Sequence, residues 1–241
     1  MGCFSLMCCK HKNRWNIFSA IIAISCKIFH LLTLLWEKKK EITKKMGIEL
    51  LPEFIRDNYE VHEWKHACAI LKEDFVNEWN DIVSVLESFR LKKSWITTPG
   101  GRKSKISGFI DGYLYNKGWI EKEFATKVIV DDHTMDTPTH KIDCFKNRVA
   151  LEIEWNNKDP FYDRDLNNFR LLFDLRAISV GVIITRCDNL QDIFNGLGRG
   201  ASYGASTTHM GKLVPRIEGG SGAGCPLVVF GISKSLYEEG N

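Results

Sequence analysis

Three carboxylates, Asp143, Glu152 and Glu154, fall within the run from His140 to Trp155, at a spacing that ordinary core packing does not explain. Val149 to Trp155 reads as a strand, so successive side chains point to opposite faces: Val149, Leu151, Ile153 and Trp155 to one, Ala150, Glu152 and Glu154 to the other. Two acids side by side on a half-buried face repel each other unless a cation binds there. Phe145 to Arg148 forms a tight reversal that brings Asp143 back beside them. The chemistry this implies is a divalent metal site, and an all-oxygen donor set suits Mg²⁺ better than zinc, which favours His or Cys ligands. The alternative is a pair of strands carrying acids on a solvated face.

The elements that must position these groups can be read from the same chain. It has 241 residues, 44% hydrophobic and 26% charged, which suits one globular domain with a full-sized core. A net charge of +3 permits nucleic-acid binding without arguing for it. The 8 cysteines show no pairing pattern, which implies a reduced, cytoplasmic protein. Residues 1–45 differ from the rest: apolar runs from Ile17 to Cys26 and from Ile28 to Trp36 are separated by Lys27 and followed by a basic cluster from Lys38 to Lys45. Lys27 counts against a membrane span, and no small-residue cleavage site marks a signal peptide. The expectation is an N-terminal extension outside the working domain, which then occupies 46–241.

From Tyr59 to Phe89 the apolar period is helical, with Trp79, Ile82, Val83, Leu86 and Phe89 forming a stripe. Ser94 to Lys105 reads as a loop in which Arg102, Lys103 and Lys105 could meet phosphates. Ile106 to Leu114 reads as a helix stopped by Gly118, Phe124 to Val130 as a strand, and Asp131 to Pro138 as a turn. Leu166, Phe169, Leu172 and Phe173 mark one face of a further helix. Val180 to Thr185 and Pro226 to Ile232 read as buried central strands, giving an α/β fold with a mixed sheet flanked by helices. Between those strands, Asn195 to Gly224 reads as a long Gly- and Ser/Thr-rich loop. There Arg199, Ser202, Ser206, Thr207, His209 and Lys212 are candidate donors to phosphates and base edges.

A rival chemistry is written at His62-Glu63-Trp64-Lys65-His66, a formal match to the H-E-x-x-H zinc-protease motif. Lys65 would place a positive charge between the two ligands, and no second protease signature follows. The plainer reading is a surface helix end carrying two histidines. A third reading is a non-catalytic DNA-binding or membrane-tethered module whose acids are surface groups.

The Asp143…Glu152-x-Glu154 arrangement resembles the active site of the PD-(D/E)xK nucleases, with Glu154 where that motif has Lys. Glu or Gln at this position is found in the restriction endonucleases of the BglII, BstYI and BamHI group. The run Arg148-Val-Ala-Leu-Glu152-Ile-Glu154 is similar to BglII and BstYI, as is Gly200-Ala-Ser202-Tyr203-Gly204. The resemblance extends from about Tyr59 to Ile232. It implies a restriction-endonuclease-like fold and a homodimeric type II enzyme that cuts a short palindrome in double-stranded DNA with Mg²⁺, alongside a cognate methyltransferase. It further implies that Asp143, Glu152 and the carbonyl of Ile153 hold the metal and that Glu154 orients or deprotonates the attacking water. Near Trp119, Glu121, or alternatively Glu123, would supply an extra acid.

Overall fold

The computed structural model describes residues 47–98 and 103–240, together with Lys27, His30 and Thr33. The chain divides into two units, Met1–Met46 and Gly47–Asn241. The proposed extension over 1–45 lies almost wholly outside the described residues, and so does Arg102.

Ten strands occur among the described residues: β1 (Tyr59–Trp64), β2 (Leu91–Lys92), β3 (Ile120–Lys122), β4 (Ala125–Val130), β5 (His133–Pro138), β6 (Ile142–Lys146), β7 (Val149–Ile153), β8 (Val180–Arg186), β9 (Leu227–Ile232) and β10 (Tyr237–Glu238). Six of them form the central sheet in the order β1-β9-β8-β7-β6-β3. β7, β8 and β9 run parallel, while β1 and β6 flank them antiparallel, so the sheet is mixed. Parallel strands need long crossovers, and the helix Phe161–Asp174 supplies the one between β7 and β8.

Both faces of the sheet are covered, which is why β8 and β9 are buried throughout and carry the continuous apolar runs Val180–Ile184 and Leu227–Ile232 rather than alternating. Val149, Leu151 and Ile153 join one core with Leu71, Ile82, Leu86, Ile110 and Leu114 from the helices Ala67–Asp74, Val76–Ser88 and Lys105–Tyr115. Ala150, Ile183 and Val229 face the other core, under Leu166 and Phe169 of Phe161–Asp174 and Leu213 and Ile217 of Met210–Glu218. Close approach of this layer needs Gly181, where a Cβ would meet Leu227 and Phe169 carbons at 2.7 Å. Gly118, with φ of +85°, lets the chain turn after Lys105–Tyr115.

Several expectations are corrected. Tyr59–Trp64 is an edge strand rather than the start of a helix, because it pairs with β9 from Tyr59↔Ile232 to Trp64↔Leu227. His62 therefore sits on a strand, while Lys65 and His66 have φ of 55° and 58°. The two histidines do not share a helical face, and the Glu63 carboxylate accepts the Cys68 N–H at 2.8 Å, so the zinc-protease arrangement is absent. Ser94 to Lys105 contains the end of a short helix, Lys93–Thr97. His133–Pro138 is a strand paired with β4, not a turn; Asp131, at φ 53°, makes the reversal. Asn195 to Gly224 is no continuous loop either, since Met210, Leu213 and Ile217 bury one face of the helix Met210–Glu218. Among the described residues, no helix is long and apolar enough to cross a membrane.

Candidate active site

The β6–β7 hairpin turns through Asn147 and Arg148, both at positive φ (44° and 69°), the backbone that a tight two-residue hairpin requires. Its ladder pairs Lys146↔Val149, Phe145↔Ala150 and Cys144↔Leu151. At its open end side chains take over from the backbone. The Asp143 N–H donates to Glu152 Oε2 at 3.3 Å, and the Ile153 N–H donates to Asp143 Oδ2 at 3.0 Å. Sequence spacing placed these two acids near each other, and the hairpin brings them together.

Glu154 continues the strand through its N–H, which donates to the Ile184 carbonyl at 2.9 Å. Its own carbonyl accepts from the hydroxyls of Thr185 at 2.9 Å and Thr208 at 3.3 Å. Asn157 Nδ2 donates to Glu154 Oε2 at 2.8 Å, and Arg164 lies 3.5 Å from Oε1. Contrary to the half-buried face expected, Glu152 and Glu154 are only 1% and 2% exposed, because the helix Phe161–Asp174 packs over their side of the sheet.

That helix adds a fourth acid, Asp165, which is fully buried and whose Oδ1 is 2.8 Å from Arg164. Burial pushes the Glu152 carboxyl well above the usual carboxylate range, helped by the charges of Asp165 and Asp143. Burial and then Asp165 push Glu154 up to about 9, and burial also raises Asp165. His140 is shifted down by burial and by Arg164. Glu152 Oε1 and Asp165 Oδ2 have no hydrogen-bond partner. Buried carboxylates without donors are costly unless they hold protons or a cation, so this cluster is built to bind one or the other.

The remaining residues singled out from sequence are placed less uniformly. Glu121 and Glu123 are exposed on or beside the edge strand β3, which pairs with β6 at Ile120↔Phe145 and Lys122↔Ile142, and Glu121 pairs with Lys141 Nζ at 2.9 Å. Lys103 forms an ion pair with the buried Asp111, which also accepts from the Cys144 thiol at 3.5 Å. Lys105, Ser202 and Ser206 are exposed, and Arg199 is half-buried. Lys212 lies 3.7 Å from Asp159, and the His209 ring pairs with Asp188.

Thr207 is placed differently from the exposed Ser202 and Ser206. It is buried, accepts from Arg186 at 2.9 Å and donates to the Gly204 carbonyl at 2.8 Å, so its hydroxyl holds the loop's own shape. The same loop is tied to the segment that leaves β7: the Thr208 N–H donates to the Asn157 carbonyl at 2.8 Å and the Asp159 N–H to the Ser206 carbonyl at 3.1 Å.

Sequence reasoning gave no role to His140, Asn157, Arg164 or Asp165. One signal for Asp165 was available: it follows Tyr162 by three residues and precedes Phe169 by four, which puts an acid on the buried stripe of the helix.

A family model described as restriction endonuclease BglII/BglIII matches residues 59–232, well over half of the chain and the whole of the central sheet. No curated protein matches it.

Proposed function

The chain belongs to the restriction endonuclease BglII/BglIII family and is by that membership a type II site-specific deoxyribonuclease; from this we propose that it hydrolyses both strands of a short palindrome with Mg²⁺ held by Asp143, Glu152 and the Ile153 carbonyl. The observation that carries the assignment is the meeting of Asp143 and Glu152 at the open end of the hairpin, with Glu152 Oε1 buried and without a donor. Oxygen donors of this kind fit a hard cation. When bound, Mg²⁺ supplies positive charge that stabilises the charge developing on the scissile phosphate.

The chain's own groups do the rest. Asn157 and Arg164 address the two oxygens of Glu154, and the Thr185 and Thr208 hydroxyls fix its carbonyl. A carboxylate so held orients the attacking water and, in its ionised form, takes its proton, a role that a protonated lysine could not fill. With the carboxyl pushed up to about 9, the ionised fraction of Glu154 in the metal-free protein grows as pH rises from neutral.

Double-stranded DNA is met in this reading by Lys105, Arg199, Ser202, Ser206 and Lys212, together with Arg102, Lys103 and His209. Two copies of the hairpin are needed to cut both strands of a palindrome symmetrically, which favours a homodimer. Cleavage of self DNA is avoided only if a cognate methyltransferase protects the site, which places the enzyme in a restriction-modification system. Cys68, Cys144, Cys187 and Cys225 are buried free thiols, in keeping with a cytoplasmic setting.

Incubating the purified protein with DNA of known sequence, with Mg²⁺ or with EDTA, and mapping the ends tests the proposal. Discrete fragments sharing one palindrome, formed only with Mg²⁺, are expected. Folded protein that leaves the DNA intact, or degrades it without sequence preference, overturns it.

A further inference from the structure

Glu152 presents its two oxygens to different neighbours. Oε2 accepts the Asp143 N–H, while Oε1 is buried with no hydrogen-bond partner. On the helix side of the sheet, one ligand atom each from His140, Glu152 and Asp165 lie within 4.8 Å of one another. Divalent ions sit roughly 2.0–2.6 Å from their ligands, so ligands on opposite sides of one ion are about twice that apart. The three groups can therefore reach a single ion with little movement.

The cluster is more than a group of acids. Asp165 is fully buried, and while Arg164 occupies its Oδ1, its Oδ2 has no donor. His140 is fixed from the same helix: Asn168 Nδ2 donates to the His140 carbonyl at 3.0 Å, one helical turn beyond Asp165. Such outer contacts hold a ligand's backbone where its ring is needed.

We propose that His140, Glu152 and Asp165 form a second divalent-cation site, bridged by Glu152 to the Asp143 site, and that its imidazole makes it prefer a first-row transition ion to Mg²⁺. A nitrogen ligand favours Mn²⁺, Fe²⁺ or Zn²⁺ over Mg²⁺, which keeps to oxygen. The bridging role of Glu152 rests on the function proposed above; the His140 and Asp165 ligands do not.

The test uses the full protein without DNA, titrated with Mn²⁺ while the paramagnetic signal of the free ion is followed. Uptake of two ions is expected, one of them showing imidazole nitrogen coupling in its spin-echo spectrum. His140→Gln and Asp165→Asn should each weaken uptake of that ion by about tenfold or more, and His140→Gln should abolish the nitrogen coupling. Asp143→Asn should lose cleavage yet retain the nitrogen-coupled ion. If Asp143→Asn still cuts DNA, the hairpin is not the active site, but nitrogen coupling that His140→Gln removes still establishes this one. Should Asp165→Asn fail to fold, the half-buried His140→Gln variant carries the test. Bound Mn²⁺ without nitrogen coupling, or uptake unchanged in His140→Gln, overturns the proposal and leaves the orphaned oxygens sharing protons.

Discussion

Asp143 and Glu152 are joined where their ladder ends: the Asp143 N–H donates to the Glu152 carboxylate at 3.3 Å, while the Asp143 carboxylate accepts the next backbone N–H along β7, that of Ile153, at 3.0 Å. The hairpin thus holds its two acids with its own backbone donors, and the site's geometry is fixed before any ligand arrives. Preorganisation of this kind is what lets charged groups act on a reacting phosphate without rearrangement.

Asp143→Asn and Glu152→Gln should each lower cleavage in Mg²⁺ by roughly 10³-fold or more, while binding to DNA in EDTA holds or tightens because negative charge has been removed. Glu154→Gln should be milder, since an amide can still orient a water. Single-turnover cleavage and gel-shift titration measure the two effects separately. Near wild-type cutting by Asp143→Asn would move the active site elsewhere.

Arg164 is a cation shared by Glu154 and Asp165, both almost fully buried. Arg164→Gln should destabilise the metal-free protein by about 1–3 kcal/mol, less than a fully buried pair because the guanidinium is itself a third exposed. Added Mg²⁺ should recover much of the loss. Thermal unfolding of both proteins in EDTA and in Mg²⁺ checks this; equal midpoints in EDTA would show that Arg164 does not offset the buried charge.

The pH dependence has a definite sign. Glu154 is raised from 4.5 to about 9, so the folded protein holds a proton that the unfolded chain releases. Its contribution to stability is complete below the unfolded value of 4.5 and is lost as pH rises through about 9. The raised carboxyls of Glu152 and Asp165 act in the same direction. In EDTA the unfolding midpoint in urea should fall from neutral pH to pH 9, and Mg²⁺ should flatten that fall. A midpoint that climbs over this interval in EDTA would contradict the burial of these carboxyls in their protonated form.

Lys105 is exposed, whereas Lys103 is paired with Asp111. If Lys105 reaches a phosphate, Lys105→Ala should make the slope of log K against log salt shallower by about 0.9. Lys103→Ala should change that slope less and stability more. Equal slopes for wild type and Lys105→Ala would take Lys105 off the DNA surface.

Arg186 is fully buried and bonds the Tyr203 carbonyl at 3.1 Å and the Thr207 hydroxyl at 2.9 Å. Arg186→Met should cost about 1–3 kcal/mol. It should also open the Gly200–Thr208 segment to limited proteolysis while the circular dichroism of the sheet is unchanged. A digestion pattern identical to wild type would show that packing alone, including the Phe194–Tyr203 stack, holds the loop.

The sequence alone determined what depends on local period. Alternation placed Glu152 and Glu154 on one face of a strand from Val149, the reversal within Phe145 to Arg148 brought Asp143 back beside them, and β-branched runs marked β8 and β9 as central strands. Apolar stripes likewise located the helices Val76–Ser88 and Phe161–Asp174. Only the tertiary structure decided which distant segments meet. Tyr59–Trp64 is a strand because β9 offers it an edge, and nothing in its own spacing required that. Glu121 comes beside Asp143 only because β3 pairs with β6, and its carboxylate takes Lys141 as a partner there. Asp165 joins Glu152 because the crossover from β7 to β8 lays Phe161–Asp174 across the acidic face, seating Leu166 and Phe169 on Ala150 and Ile183 and pointing Asp165 inward with them. A helical period reports which side of a helix is buried, but the path of the chain decides what lies beneath it.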